Sequence, residues 1–191
     1  MSWILTRSGR KFDLFKPTAD MVDPTDIAHS LSMQCRFNGH TSSFYSVAQH
    51  CYLVADLVPD EHQLAALLHD ATEAYVGDLV RPLKEEMRIY ASAMQVDCVY
   101  NGVEHLIWLA ICDRFNLSPE LPACVKHADL VALATEKRDL MPHHSEPWAC
   151  LDGIEPFAGV IDPWAPSYAA IHYHHRLLQL LATTHRGRAV A

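Results

Sequence analysis

His50, His69, Asp70 and Asp129 are ionisable residues in stretches that otherwise read as buried helix faces. Leu64, Leu67, Leu68, Ala71 and Tyr75 recur at three- and four-residue steps, the period of an amphipathic helix. His69, Asp70 and Glu73 interrupt that run. Ionisable groups beside an apolar stripe are costly unless they are paired or bind a metal. On a continuous helix Glu73 would lie one turn above His69 and Asp70. His50 falls in the first turn of a second helix, and Asp129 in a third. Two neutral imidazoles and two carboxylates suit a borderline divalent cation, and the two acids cancel its charge. Four protein ligands on a six-coordinate ion leave positions open, the mark of a catalytic rather than a structural site. A water at such a position loses a proton near neutral pH and becomes a nucleophile.

The elements that position these residues follow from punctuation and period. Residues 3–6 and 11–15 flank Arg7-Ser8-Gly9-Arg10 and predict an N-terminal hairpin that covers the core. Asp26 is expected to cap a helix through Ile27, Ala28, Leu31 and Met33, with Gly39 as a stop. Ser46 caps a helix over 47–58 that carries His50, and Pro59 ends it. Asp60 then opens one continuous helix that carries His69, Asp70 and Glu73 as far as Gly77. Residues 78–84 read as a constrained loop, and 85–115 as a helix with a break near Asn101-Gly102. A helix over 123–140 carries Asp129. Residues 141–167, rich in Pro and Trp, form a loop long enough to be a lid, a binding loop or an interface segment. Residues 168–185 make a last amphipathic helix, and 186–191 a frayed tail. The class is all-α, one domain over 1–191 with its core at about 27–140.

Composition narrows the function. Half of the 191 residues are hydrophobic and a fifth are charged, as in a globular domain with a sizeable core. No apolar run is long enough to span a bilayer, and the first residues lack a signal-peptide pattern. Six scattered cysteines without a C-x-x-C pair read as reduced thiols of a cytoplasmic protein. A formal net charge of −8 argues against sequence-independent nucleic-acid binding. A phosphate-bearing substrate would therefore need a local cluster of Arg and Lys.

The ordered set His50, His69-Asp70 and Asp129, all on expected helices, resembles the H…HD…D signature of the HD-domain metal-dependent phosphohydrolases. The resemblance covers about residues 27–140. Ser46-Val47-Ala48-Gln49-His50 is similar to that family's first-ligand helix. His69-Asp70-Ala71-Thr72-Glu73 followed by Gly77-Asp78-Leu79 resembles the HDxxE…GD pattern of a narrower group. That group contains bacterial 5′-deoxynucleotidases and phage-type dATP triphosphohydrolases.

The resemblance implies an HD-domain helical bundle with the ion at its centre, here with a short N-terminal β-hairpin. His50, His69, Asp70 and Asp129 would hold manganese, cobalt, zinc, iron or magnesium. Glu73 would orient the attacking water or act as general acid. Asp78 would assist, or with Glu73 hold a second cation. Arg36-Phe37 stands where the 5′-deoxynucleotidases carry an Arg-Trp pair that contacts the nucleotide, so the guanidinium is retained and the aromatic differs. Arg81 and Lys84 are expected to hold outer phosphates, and His40 is a further candidate contact.

The implied reaction is hydrolysis of a deoxynucleotide, most closely a dATP-like triphosphate to deoxynucleoside plus triphosphate. The alternative is a 5′-deoxynucleotidase acting on monophosphates. Alarmone hydrolysis and nucleotide binding without turnover are weaker readings. The expected partners are a deoxynucleotide and further copies of the chain, as a dimer or hexamer, with no nucleic acid and no membrane. His143-His144, His172, His174 and His175 lack acids or thiols at ligand spacing and read as surface or packing residues. Trp148 and Trp164 read as packing anchors.

Overall fold

The computed structural model of the protein describes residues 2–189. They form eight helices and one two-stranded sheet. Strands β1 (Trp3–Leu5) and β2 (Lys11–Asp13) pair antiparallel with Ile4 opposite Phe12. The helices are α1 (Pro24–Met33), α2 (Val47–Asp56), α3 (Gln63–Leu67), α4 (Glu73–Val76), α5 (Arg81–Ala93), α6 (Val99–Phe115), α7 (Ala123–Leu140) and α8 (Pro166–Ala189). The mostly helical class and the N-terminal hairpin agree with the sequence reading.

The helix α2 is the axle of the fold. Ser46 Oγ accepts from the Gln49 amide and caps it, as expected. Val47, Ala48, Cys51, Val54 and Ala55 are all buried, so the helix is covered on nearly every side. It packs against α1, α3, α7 and α8. The last of these adds Ala169, Tyr173 and Leu177, one per turn, to the same core. The Tyr173 hydroxyl donates to the Leu67 carbonyl at 2.8 Å, which fixes α8 over the end of α3.

Four boundaries differ from the sequence reading, each for a local reason. Asp23, not Asp26, caps α1, accepting from the Thr25 amide at 2.8 Å beside Pro24. Asp26 is buried instead, and it takes the Ser8 amide and hydroxyl, both at 2.7 Å. That contact seats the hairpin tip on α1, while Phe12 stacks on Tyr75 at 3.7 Å. The strands are shorter than expected because Asp13 accepts from the amides of Phe15 and Lys16 and turns the chain. The stretch 85–115 is two helices broken at 94–98, where Gln95 takes φ 55°, and Gly102 lies inside α6. Residues 81–84 open α5 rather than closing a loop.

The larger correction concerns the stretch from Asp60 to Gly77. It is not one helix. A short turn at Asp60–His62 leads into α3, which ends at Leu67, and α4 begins only at Glu73. Between them the amides of His69, Ala71 and Glu73 bond three residues back, to Ala66, Leu68 and Asp70. The chain is therefore wound tighter than an α-helix where His69 and Asp70 sit. Gly77 ends α4 at φ 85°, a conformation open to glycine. The expected tail at 186–191 is helical to Ala189, and residues 190 and 191 lie outside the described residues.

Residues 141–165 are irregular apart from one turn at Ala149–Leu151, as expected of a long loop, and α8 begins two residues earlier than the sequence suggested, with Pro166 in its first turn. Their backbone is tied to the body by side chains of α2 and α7. Arg138 donates to the carbonyls of Phe157 (2.8 Å) and Gly159 (2.6 Å). Asp139 accepts from the Ile161 amide, and Gln49 bonds both Asp162 O and Trp164 N. Trp164 packs edge-on against Tyr52 and Tyr168.

Candidate metal centre

The imidazoles of His50, from α2, and His69, from the tight turn, face each other with their Nε2 atoms 3.3 Å apart. Asp129, from α7, brings Oδ1 to 3.2 Å from His50 Nε2 and 4.0 Å from His69 Nε2. Asp70 brings Oδ2 to 3.3 Å from His69 Nε2 and 3.5 Å from His50 Nε2. Ligands about 2.1 Å from an ion stand about 3.0 Å apart in octahedral and 3.4 Å in tetrahedral geometry. The spacings of His50, His69 and Asp129 fit a single ion, and Asp70 stands on the His69 side of that group within 3.5 Å of both Nε2 atoms.

The donor chemistry passes the same test. His69 Nδ1 donates to the Ala66 carbonyl at 2.7 Å, and His50 Nδ1 donates to Glu136 Oε1 at 2.6 Å. Both Nδ1 protons are thus committed, and each Nε2 faces the common focus, where burial would disfavour a charged imidazole but Glu136 and Asp129 around His50, and Asp70 beside His69, draw a proton onto it. A divalent cation at that focus would take the place of those Nε2 protons and meet both nitrogens and both carboxylates.

The tight turn explains how adjacent residues converge. On a regular helix His69 and Asp70 diverge by about 100°. Winding at three residues per bonded turn, with the imidazole tethered to Ala66, swings both side chains to one focus. Cys51 Sγ joins His69 and Asp70 in a group whose candidate donor atoms lie within 4.8 Å. Burial pushes that thiol up to about 11, so it backs the site as a neutral group.

Electrostatics favour positive charge at the focus. Burial alone would raise the Asp70 carboxyl, but His69, His50 and Arg36 hold it far below the usual carboxylate range. Burial likewise opposes the hydrogen bond from His50 that brings Asp129 down to about 2. Both acids are ionised.

Glu136 was not among the residues singled out from sequence. Its side chain is fully buried on α7, with Oε1 on His50 and Oε2 on Arg36, at 3.1 Å from Nη2 and 3.2 Å from Nε. Burial would raise its carboxyl, yet Arg36 and His50 keep it ionised. The available signal was its spacing: Glu136 follows Asp129 by seven residues, two helical turns on the same face.

The remaining site residues fall into three groups. Arg36 reaches the centre, with Nη1 3.7 Å from Asp70 Oδ2, but most of its fork is spent on Glu136. Arg81, half-exposed at the start of α5, leans over the rim with Nη2 3.8 Å from Asp129 Oδ2. Glu73 lies beside the centre and is buried at 4% exposure. Lys84 Nζ stands 3.4 Å from Glu73 Oε1 and 3.1 Å from Glu104 Oε1, so a cation already adjoins Glu73 where a second ion was expected. The other Glu73 oxygen, Oε2, is buried without a hydrogen-bond partner. Burial, Asp70 and Asp78 together push the Glu73 carboxyl well up. Asp78 does not cap α5; its amide donates to Gln34, whose own amide nitrogen donates to the Glu73 carbonyl.

Phe37 and Asn38 sit at φ 54° and 51°, a left-handed stretch costing about 1 kcal/mol per residue. This turn places the Phe37 ring 5.4 Å from the Arg36 guanidinium and 6.1 Å from Trp148, which also lies under Lys137. His40 is not drawn into the centre. It is exposed and lines a shallow pocket of about 220 Å³ with Thr41, Asp139 and Leu140. His143 and His144 are exposed, and His172 packs on Trp164 and Tyr168, as expected. All six cysteines are free thiols. No helix among the described residues is long and apolar enough to cross a membrane.

Comparison with known proteins gives the chain relatives. No family model matches it. The uncharacterized protein YfdR of Escherichia coli K12 is 43% identical over 172 residues, which span 88% of this chain and 90% of YfdR. An uncharacterized protein of Rhodobacter capsulatus is 37% identical over 136 residues, 66% of this chain and 65% of its own length. With YfdR matched over nine-tenths of its length, the chain belongs to the YfdR family.

Proposed function

We propose that this protein is a metal-dependent phosphohydrolase of the HD-domain type, acting on deoxynucleotides. The observation that carries the reading is the convergence of His50, His69, Asp70 and Asp129 on one point, with both histidine tautomers fixed by hydrogen bonds on their far sides. A divalent ion held there would polarise a phosphoryl oxygen and lower the pKa of water. The two aspartates neutralise its charge.

The residues around that focus suit hydrolysis of a phosphoester. Arg81, half-exposed at the rim, can turn from Asp129 toward phosphate oxygens. Arg36, locked on Glu136, adds fixed positive charge beside the reacting group. Water adds to phosphorus, and the bond from phosphorus to the 5′ oxygen breaks. Glu73 delivers the proton that the departing 5′ oxygen needs and recovers one from the water that has added, so the net change is one water consumed. Lys84 holds Glu73 in place against Glu104. With a triphosphate the products are deoxynucleoside and triphosphate; with a monophosphate they are deoxynucleoside and phosphate. Arg81, a half-exposed cation beyond the metal ligands, favours the longer substrate.

The test is to incubate manganese- or cobalt-loaded protein with deoxynucleoside mono-, di- and triphosphates and identify the products. Released triphosphate is the expected result, and released phosphate assigns the monophosphate activity. No product from any nucleotide refutes the proposal.

A further inference from the structure

We infer that the Lys84 ammonium stands in for a second metal ion: with it the centre holds one divalent cation, and without it Glu73, Asp78 and Glu104 hold another. Lys84 plays this part only where His50, His69, Asp70 and Asp129 hold the first ion, as proposed above. The side chain leaves the first turn of α5 and runs inward, and it is 25% exposed. Its Nζ stands 3.4 Å from Glu73 Oε1 on α4 and 3.1 Å from Glu104 Oε1 on α6. The Tyr100 ring lies 5.7 Å from the same nitrogen, within cation–π reach. Tyr100 and Glu104, four residues apart, share one face of α6. One compact charge with three N–H donors thus gathers side chains from two further helices, as a bound cation does.

The acids exceed what the ammonium can meet. Glu73, Asp78 and Glu104 are three carboxyl groups on this side of the centre. Gln34 links the backbone of the first two, accepting from the Asp78 amide at 3.0 Å and donating to the Glu73 carbonyl at 3.0 Å. Burial, above all, pushes the Glu73 carboxyl up; the charges of Asp70 and Asp78 add to this, and Lys84 opposes them. Glu73 is 4% exposed, and its Oε2 is buried without a hydrogen-bond partner. That oxygen is coordination still to be used, and carboxylate oxygens are the ligands that manganese and magnesium take. While the ammonium is present, a second dication would meet like charge at the oxygens it needs. The arrangement also fits the proposed reaction. In a two-metal site one ion stabilises the leaving oxygen. An ammonium already held by two acids offers no vacant position for it, so the 5′ oxygen depends on the proton of Glu73.

Metal stoichiometry reads this without turnover. The full chain is stripped with a chelator, dialysed against excess manganese and assayed by elemental analysis. Wild type and Lys84→Arg, which keep the charge, are expected to hold one ion per chain. Lys84→Met and Lys84→Gln, which remove it, should hold two, and adding Glu73→Gln to Lys84→Met should return the count to one. Manganese should also raise the melting temperature of the two neutral variants more than that of wild type, because a second ion binds only their folded state. Two ions in wild type or in Lys84→Arg overturn the inference, and so does a double variant that keeps two. A single ion in both neutral variants overturns it as well, as does a failure of manganese to keep either one folded. No ion in wild type is a different result: it refutes the metal centre itself, and the part given to Lys84 falls with it.

Discussion

Replacing Glu136 with glutamine keeps the shape of the side chain and inverts half of its chemistry. One carboxylate oxygen takes the proton of His50 Nδ1 at 2.6 Å, and the other takes the Arg36 fork at 3.1 and 3.2 Å. An amide offers one oxygen and one NH₂. Whichever way it turns, the NH₂ faces a donor, either the imidazole N–H or the guanidinium. The site is closed to water, with Glu136 and His50 fully buried and Arg36 nearly so. Leaving one member of a buried charged pair without its partner costs about 3 kcal/mol. For a chain of this size that corresponds to a fall of roughly 6–12 °C in melting temperature. The second consequence lies at the metal. A histidine ligand that loses the acceptor behind it loses its orientation and basicity, which lowers metal affinity by about 10- to 100-fold. The assay is calorimetric titration of the metal-free protein with manganese or cobalt, beside a thermal melt of wild type and Glu136→Gln. A variant that melts within about 2 °C of wild type and binds metal with wild-type affinity would show that Glu136 neither supports His50 nor anchors Arg36.

Other perturbations separate the remaining roles. Asp129→Ala removes the one candidate ligand supplied by α7 and should abolish metal content by elemental analysis; full occupancy would take Asp129 out of the proposed ligand set. Glu73→Ala should bind metal as wild type does but lose about 10²- to 10⁴-fold in turnover, and a variant with full kcat would free Glu73 of any part in the reaction. Arg81→Ala, at a half-exposed rim position, should leave stability unchanged and raise KM for a triphosphate about tenfold; equal KM values would make it a surface charge. Arg138→Ala removes the bonds to Phe157 and Gly159 and should open the 141–167 loop to limited proteolysis, while cleavage no faster than wild type would show that Gln49 and Asp139 suffice. The Arg138 hydrogen bond holds the Asp139 carboxyl below its usual range. Protection of the loop should therefore be full at neutral pH. It should fade only as pH falls below the ordinary carboxylate value of about 4.

The sequence by itself determined what is written in short-range period and punctuation. The apolar steps of α2 and α7, the Ser46 cap and the hairpin turn at Ser8-Gly9 were legible because helix and turn formation depend on neighbours a few residues away. So were the residue types that converge: two histidines and two aspartates beside buried stripes have little else to do than pair or bind a cation. The tertiary structure decided the rest. The tight turn at 68–72 replaced an expected helix because the imidazole tether to Ala66 and the convergence on α2 and α7 outweigh a local propensity worth tenths of a kcal/mol per residue. Glu136 lies 86 residues from His50 and 100 from Arg36, separations over which no periodicity carries information. Lys84 was read as free for phosphate, yet it is held by Glu73 and Glu104 because α5 begins four residues earlier than its sequence suggested and carries the ammonium inward. Local patterning selects elements and exposes the residues that are out of place on them. Which of those residues meet, and which buried partner fixes each proton, is decided only when the elements pack and every desolvated charge must find its counterpart.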